Sequence, residues 1–274
     1  MIKLVAIDLD GTMYNSKKVI TTEVRHAIVA AHDAGIETAI ITGRGQQGAE
    51  LAIDHLGIDV PYISSAGAMI RSGKHGSVLG AWPFHVLSQT AKLIDFALNN
   101  DIAMLGEQLD GRMIWCGSDA RYDLLDKKTK DEVALGIIST DPHKDFDQDL
   151  LKITFGTESK LLEAAEFIAR ECPALFPVIS STMYIDITKD HVNKGFGLAE
   201  FAKIRGYQVQ EVAAIGDQEI DLHALHFAGL PIAMENGVQK LKDHAEWIAP
   251  SNDDHGVAWA LNEIINRNQT DHAK

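Results

Sequence analysis

The chain has 274 residues, of which 46% are hydrophobic, and this length accommodates one large domain or two of modest size. Its formal net charge of −14 at pH 7 repels phosphate backbones, so we expect no nucleic-acid partner. Because the sequence shows no signal-peptide pattern, no apolar run as long as a membrane span and only two cysteines, without metal-ligand spacing, we expect a cytoplasmic protein with no membrane partner.

The first predicted strand ends in two carboxylates. Residues 4–7 form an apolar run with β-branched members, which is typical of a strand buried on both faces of a parallel sheet. Asp8 and Asp10 follow, two residues apart, and then Gly11. Ligands of open α/β sheets bind at the carboxyl ends of the strands, so this position favours a functional site. Taken alone, the motif is equally consistent with a polar turn, since Asp-Gly is a common turn signal.

Strands and helices alternate through the rest of the first third. A capped helix is predicted to end at Gly35, and a strand over residues 36–41 runs into Thr42. A second helix follows, and residues 62–63 form a short third strand. This alternation predicts a parallel sheet covered by helices.

The pattern changes after residue 83. A helix over residues 87–98 precedes a hairpin with Asp110 and Gly111 at its turn, and later segments alternate strands with one more helix. Hairpins mixed with helices predict an α+β unit inserted into the α/β one. We therefore expect a catalytic core formed by residues 1–83 and 188–274, and an inserted cap domain over residues 84–187.

The α/β rhythm returns near residue 193. A helix follows Lys194, and a buried strand over residues 212–215 runs into Asp217. The polar residues 267–274 are expected to fray. The predicted fold class is α/β, a Rossmann-like parallel sheet core with an inserted α+β cap.

The order of these strand-end motifs resembles the haloacid dehalogenase superfamily of phosphohydrolases, and within it the Cof-type branch with a large inserted cap. The matching segments are Asp8-Leu-Asp-Gly-Thr12, Ile41-Thr-Gly-Arg44, Val192-Asn-Lys-Gly195, Gly216-Asp-Gln-Glu-Ile-Asp221 and Phe227-Ala-Gly-Leu-Pro-Ile-Ala-Met-Glu-Asn236. Together they span nearly the whole chain, so their combination is far more specific than any single motif.

The resemblance implies a role for each of these polar residues. Asp8 would attack phosphorus to form an aspartyl-phosphate, and Asp10 would act as general acid and then as general base. Thr42, through its hydroxyl and backbone N–H, and Lys194, as a point charge, would hold the phosphoryl oxygens. The implied phosphate site comprises Asp8, Gly11, Thr42, Gly43 and Lys194.

The resemblance also implies a magnesium site. A carboxylate is repelled by a phosphate dianion unless a cation lies between them, and Mg²⁺ prefers oxygen ligands. The implied ligands are Asp8, the backbone carbonyl of Asp10, and Asp217, while Asp221 would orient a metal-bound water or support the ligands from behind. Without the motif context, Lys194 would be interpreted as a surface lysine and Asp217 as a helix N-cap.

Three positions depart from the family pattern. Ile220 replaces an Asn of the last acidic motif, Ala66 replaces the Asn of an Asn-Gly-Ala segment, and His255 replaces the Asp of an Asp-Gly-Val segment. None removes a catalytic carboxylate or the lysine, so we expect an active enzyme.

The favoured function is a Mg²⁺-dependent phosphatase for small phosphorylated metabolites, such as sugar phosphates. One alternative is a phosphomutase on the same scaffold, and another is a low-activity regulatory protein that binds phosphometabolites, which the loss of the Asn at Ile220 would favour. Specificity is expected from the cap, near the tip of the hairpin around residues 107–112. The sequence indicates neither the substrate nor the oligomeric state.

Overall fold

The computed structural model describes residues 1–85, 87–125, 130, 133–134 and 136–272. Its strands are β1 (Leu4–Ile7), β2 (Glu37–Ile41), β3 (Tyr62–Ser64), β4 (Met69–Arg71), β5 (Val78–Ala81), β6 (Ala103–Gln108), β7 (Met113–Cys116), β8 (Ile137–Ile138), β9 (Leu150–Gly156), β10 (Leu175–Ile179), β11 (Tyr184–Lys189), β12 (Val212–Gly216), β13 (Leu230–Met234) and β14 (Trp247–Ala249). Its α-helices are α1 (Thr22–Asp33), α2 (Gln46–Leu56), α3 (Leu87–Asn99), α4 (Asp119–Leu124), α5 (Pro142–Asp145), α6 (Leu161–Glu171), α7 (Lys194–Arg205), α8 (Leu222–Phe227), α9 (Gln239–Lys242) and α10 (Gly256–His272).

The larger sheet has the strand order β14-β13-β12-β1-β2-β3-β4-β5. Strand β1 lies near its centre and pairs in parallel with β12 and β2. Its side chains alternate between two hydrophobic clusters, with Val5 and Ile7 on one face and Leu4 and Ala6 on the other. Burial on both faces explains the continuous apolar run in the sequence. Since the three strands are parallel, the residues after their carboxyl ends meet at one edge of the sheet.

The second sheet has the order β10-β11-β9-β6-β7-β8 and is antiparallel except for the β7–β8 pair. One face packs with α3 and α6 around Ile153, Phe155, Ile185 and Ile187. The fold is thus the expected α/β core with an inserted α+β cap. The exact limits of the cap, at residues 84 and 187, stay predictions.

The fraying expected near the C-terminus is wrong for residues 267–272, which form the last turns of α10. The helix is held by Leu261 and Ile264, which are fully buried in the core. In addition, the side chain of Asn268 accepts from the backbone N–H of Ile2 at 2.9 Å and donates to its carbonyl at 2.6 Å. This amide pairs the helix with the backbone just before β1. Residues 273–274 lie outside the described residues.

No helix in the described ranges combines the length and hydropathy needed to cross a membrane.

Candidate active site

A buried lysine joins two carboxylates at the carboxyl edge of the larger sheet. Lys194 Nζ donates to Asp8 Oδ1 at 2.6 Å and to Asp221 Oδ1 at 2.5 Å. Lys194 is the first residue of α7, whose N-cap Asn193 accepts from the backbone N–H of Phe196. With 1% of its surface exposed, Lys194 is not the solvated lysine that a lone Lys would suggest.

Asp217 lies beside this cluster, at the end of β12. The Thr12 hydroxyl donates to Asp217 Oδ1 at 2.8 Å, and the Gln218 side chain donates to Oδ2 at 3.1 Å. The backbone of Gly11 has φ +85°, and a Cβ there would lie 2.3 Å from Asp217 Oδ2. Only glycine therefore allows the loop after β1 to approach this carboxylate so closely.

Asp221 is held by its own loop as well as by the lysine. Its Oδ2 accepts the backbone N–H groups of Asp217 and Gln218, each at 3.0 Å. Both of its oxygens therefore have donors within the protein, which suits a supporting role better than a direct attack on substrate.

The electrostatics of the cluster favour a bound cation. Oxygen atoms of Asp8, Asp217 and Asp221 lie within 4.8 Å of one another, and all three residues are buried. Burial, followed by the proximity of Asp221, raises the pKa of Asp8 well above its usual value and that of Asp217 to about 6. Burial alone would lower the pKa of Lys194, but Asp221 and Asp8 raise it, so the lysine stays charged. Three carboxylates facing one ammonium group form a donor set of oxygens that fits Mg²⁺.

Asp10 has a different environment from Asp8. Its side chain is 39% exposed and receives two hydrogen bonds from Arg44, with Nε at 2.6 Å from Oδ2 and Nη2 at 2.5 Å from Oδ1. Lys18 adds a contact at 3.1 Å to Oδ1, and the Arg44 guanidinium lies over the Tyr14 ring, 5.2 Å from its centroid. Asp10 is thus oriented by a planar two-point contact, while Asp8 is buried against the lysine.

The loop after β2 borders the same edge. Thr42 is buried, and its hydroxyl accepts the backbone N–H of Arg44 at 3.1 Å. The backbone N–H of Thr42 donates to the Ile63 carbonyl at 2.9 Å as part of the sheet. This N–H is engaged in the sheet, so the hydroxyl proton is the donor that Thr42 can direct to a ligand, and the role of Thr42 in phosphate binding stays a prediction.

Ile220 also faces this loop. A Cβ built on Gly43 would lie 3.5 Å from Cδ1 of Ile220. The Ile220 side chain is buried, but it is not part of the two hydrophobic clusters that flank the larger sheet in the described residues. The residue therefore packs at the border of the site rather than into the interior of the sheet.

Sequence reasoning assigned no role to several residues at this edge. Arg44 and Thr12 lie within the quoted motifs, but their hydrogen-bond partners depend on side-chain geometry that sequence spacing does not reveal. Three charged residues of the second sheet also lie here. They are Glu107, Lys152 and Asp186, all buried. The sequence signal that could have identified these three residues is a charged side chain within a predicted strand that is otherwise mainly apolar.

The family model for haloacid dehalogenase-like hydrolases matches residues 5–261. Among curated proteins, the chain is similar to the 5-amino-6-(5-phospho-D-ribitylamino)uracil phosphatase YwtE of Bacillus subtilis, with 29% identity over 96% of this chain and 98% of that protein. It is also similar to a putative phosphatase of Streptococcus pyogenes, with 28% identity over 96% of this chain and 98% of that protein.

Solved structures show the same fold. The phosphatase BT1666 from Bacteroides thetaiotaomicron has a TM-score of 0.81 at 23% identity, covering 96% of this chain and 95% of that one. The subclass IIB sugar phosphatase BT4131 has a TM-score of 0.82 at 19% identity, covering 96% of this chain and 98% of that one. The chain therefore belongs to the haloacid dehalogenase-like hydrolases and is a phosphoric monoester hydrolase of that family.

Proposed function

We propose that this protein is a Mg²⁺-dependent phosphatase that hydrolyses small phosphomonoesters through an aspartyl-phosphate on Asp8. The observation that carries the proposal is the buried cluster in which Lys194 joins Asp8 to Asp221 beside Asp217. A nucleophilic carboxylate, a fixed cation and an oxygen donor set for a metal meet at one sheet edge, as phosphoryl transfer requires.

In the first half of the proposed reaction, Asp8 attacks phosphorus and the bond from phosphorus to the ester oxygen breaks. Lys194 stabilises the charge on the phosphoryl oxygens, and Thr42, Gly43 and Gly11 line the phosphate site. Asp10 delivers a proton to the leaving oxygen. In the second half, Asp10 takes a proton from water, which attacks the aspartyl-phosphate and releases inorganic phosphate.

The metal would be held by Asp8, Asp217 and the backbone carbonyl of Asp10, with Asp221 supporting them. When bound, Mg²⁺ neutralises charge between the carboxylates and the phosphate, so that an anionic nucleophile can approach an anionic group.

The proposed substrates are small phosphorylated metabolites such as sugar phosphates. The names of two relatives support this class, since one acts on a ribityl phosphate and the other is a sugar phosphatase. We propose that residues 84–187 act as the cap over the site and that the protein works in the cytoplasm.

Phosphate release from a set of metabolite phosphomonoesters tests the proposal. We expect release with Mg²⁺, none after chelation, and recovery when Mg²⁺ is added back. The Asp8→Asn variant should lose nearly all activity, whereas Asp33→Asn, the same change at the exposed end of α1, should keep it. Full activity of thoroughly demetallated protein would overturn the metal requirement. Transfer of the phosphoryl group to a second hydroxyl compound instead of water would identify the phosphomutase alternative.

A further inference from the structure

Arg44 connects the loop after β2 to the carboxylate of Asp10. Its Nε donates to Asp10 Oδ2 at 2.6 Å and its Nη2 donates to Asp10 Oδ1 at 2.5 Å, so each carboxylate oxygen has a guanidinium donor. The side chain of Arg44 is 8% exposed. Two parallel hydrogen bonds from a planar guanidinium fix the plane of a carboxylate, whereas a single ammonium group leaves that plane free to rotate.

The guanidinium is in turn held by Tyr14. The Cζ atom of Arg44 lies 5.2 Å from the centroid of this ring, within the range of a cation–π contact. Tyr14 is buried, and its hydroxyl is hydrogen-bonded to His55 Nδ1 at 2.8 Å. Tyr14 also pairs with Asp10 in an isolated β-bridge. Arg44 is thus packed on a ring of the same loop that carries its carboxylate partner.

The backbone on either side of Arg44 is tied to the second sheet. Lys152 of β9 donates from Nζ to the Gly43 carbonyl at 2.5 Å, one residue before the arginine. Glu107 of β6 accepts the backbone N–H of Gln46 at 2.9 Å, two residues after it. Both side chains are buried. The position of the second sheet therefore fixes the segment from which Arg44 reaches Asp10.

The chemistry assigns this contact to the hydrolytic half of the proposed reaction. In that half, water attacks phosphorus, the bond from phosphorus to the Asp8 oxygen breaks, and Asp10 takes a proton from the water. The products are inorganic phosphate and the free Asp8 carboxylate. A base must be ionised, and an ionised carboxylate is the form that accepts two guanidinium N–H groups. Each oxygen keeps a second acceptor site, so Asp10 can bind the guanidinium and the water together.

We propose that Arg44 is the positioning residue that holds Asp10 for this hydrolytic step. Lys152 and Glu107 tie its loop to the second sheet, so hydrolysis of the aspartyl-phosphate depends on how that sheet is seated on the core. This inference rests on the proposed phosphatase function and assigns a residue to one of its two halves. Because p-nitrophenolate leaves without a proton, formation of the adduct from p-nitrophenyl phosphate does not need Asp10. A loss confined to hydrolysis therefore distinguishes positioning from general damage to the loop.

Rapid chemical quench with p-nitrophenyl phosphate and Mg²⁺ measures the two halves separately, through the amount of phosphoryl adduct on the Asp8 peptide against time. Arg44→Lys keeps the positive charge but loses the planar two-point contact. We expect decay of the adduct to slow by about tenfold, while its formation changes by less than about threefold. The matched control is Arg205→Lys, which alters the contact of Nε and Nη2 with Glu37 at the start of β2, the opposite edge of the sheet. Both rate constants should stay unchanged there.

A second variant tests the link to the second sheet. Lys152→Met removes the donor to the Gly43 carbonyl, and decay of the adduct should slow by about threefold. Adding Lys152→Met to Arg44→Lys should cause little further loss, because both changes act through Asp10. Lys92→Met, the same change at an exposed lysine of α3 that contacts Glu171, should leave formation and decay unchanged.

Unchanged decay in Arg44→Lys, or equal slowing of formation and decay, would overturn the positioning role while leaving the phosphatase activity in place. Unchanged decay in Lys152→Met, or a loss that multiplies fully with that of Arg44→Lys, would overturn the link to the second sheet. If Mg²⁺-loaded wild-type protein released no p-nitrophenol, or released it without any adduct in either the wild-type protein or Arg44→Lys, the proposed function would fail, and the inference with it.

Discussion

Asp217 is a buried carboxylate whose protonation would compete with the proposed metal ion. Its folded-state pKa of about 6 lies above the ordinary value of 3.8, because of burial and then the neighbouring Asp221. Because the folded-state pKa is raised, protonation of Asp217 stabilises the folded, metal-free protein. This stabilisation is complete below the pKa of Asp217 in the unfolded chain, and it is lost as the pH rises through about 6. A divalent cation would replace the proton.

We therefore expect Mg²⁺ to raise the Tm more at about pH 7.5 than at about pH 5, because at the lower pH the metal must displace a proton. Calorimetry of the demetallated protein at both pH values, with and without Mg²⁺, measures the two shifts. Asp217→Asn should abolish most of the difference. A Mg²⁺-induced shift that is the same at both pH values would contradict the assignment of Asp217 as a ligand.

Ile220 leaves the border of the proposed site without the side-chain amide of the Asn that the family pattern has at this position. Its side chain contacts the loop at Gly43 instead of the interior of the sheet. Ile220→Asn should therefore add a polar contact near the phosphate at little cost in stability. A hydrogen bond to a charged group contributes about 1.5–3 kcal/mol, so kcat/KM should rise roughly tenfold.

Steady-state kinetics and the Tm of Ile220→Asn test whether the missing amide limits catalysis. If activity is unchanged or lower and the Tm falls clearly, Ile220 is a packing residue and the missing amide does not limit the enzyme.

At the scale of single elements, the turn of Ser65–Gly67 carries strained backbone. Ala66 has φ 55° and ψ 29°, in the left-handed region that Asn and Gly adopt more readily than Ala. This geometry gives a physical reason for the Asn that the family pattern has at this position. A left-handed non-glycine residue costs about 1–2 kcal/mol, part of which Gly would recover.

We expect Ala66→Gly to stabilise the protein by about 0.5–1 kcal/mol and to raise the Tm by about 1–4 °C. The matched control is Ala68→Gly two residues later, where φ is −81° and the methyl group is fully buried. That change should lower the Tm. Thermal unfolding of both variants measures the effect, and equal shifts of the same sign would show that the backbone of Ala66 is not strained.

The ends of the strands were predictable, and the contacts between distant elements were not. An apolar run followed by Asp8, and another followed by Asp217, place both acids at one sheet edge because the strands are parallel. Lys194 was predicted only from the family resemblance, because it begins a helix and does not directly follow a strand. In contrast, the pairing of Asp10 with Arg44 depends on side-chain orientation, and the pair of Lys152 with Asp186 depends on the register of antiparallel strands. Local sequence patterns contain neither kind of information.

The C-terminal helix shows the same limit. Polar residues at the end of a chain predict fraying, but Asn268 pairs with the backbone of Ile2, 266 positions away in sequence. The structure of that segment is decided by a partner that no local pattern indicates.

At the scale of the whole molecule, the cap sheet contacts the loops of the core directly. Lys152 donates to Gly43, Glu107 accepts from Gln46, and the ring of Phe176 packs edge-on against His223, with centroids 5.7 Å apart. In this arrangement the second sheet covers the loop beside the proposed phosphate site. A substrate would therefore have to fit between the two sheets, which would also exclude bulk water during the proposed reaction.

Folded phosphoproteins should accordingly be poor substrates, with kcat/KM about a thousandfold or more below that of small phosphomonoesters. Phosphate release from a folded phosphoprotein and from the matching short phosphopeptide, compared with a sugar phosphate, provides the measurement. Efficient dephosphorylation of the folded protein would contradict a cap that covers the site during turnover.

Mass spectrometry of the Asp10→Asn variant tests the proposed covalent role of Asp8. With p-nitrophenyl phosphate, whose leaving group needs no protonation, attack by Asp8 should proceed while hydrolysis stalls for lack of a general base. After a substrate pulse with Mg²⁺ and an acid quench, we expect one added phosphoryl group on the peptide that contains Asp8, and none in the same variant with Asp8→Asn added. Turnover without any adduct in the single variant, or an adduct on another residue, would contradict the account.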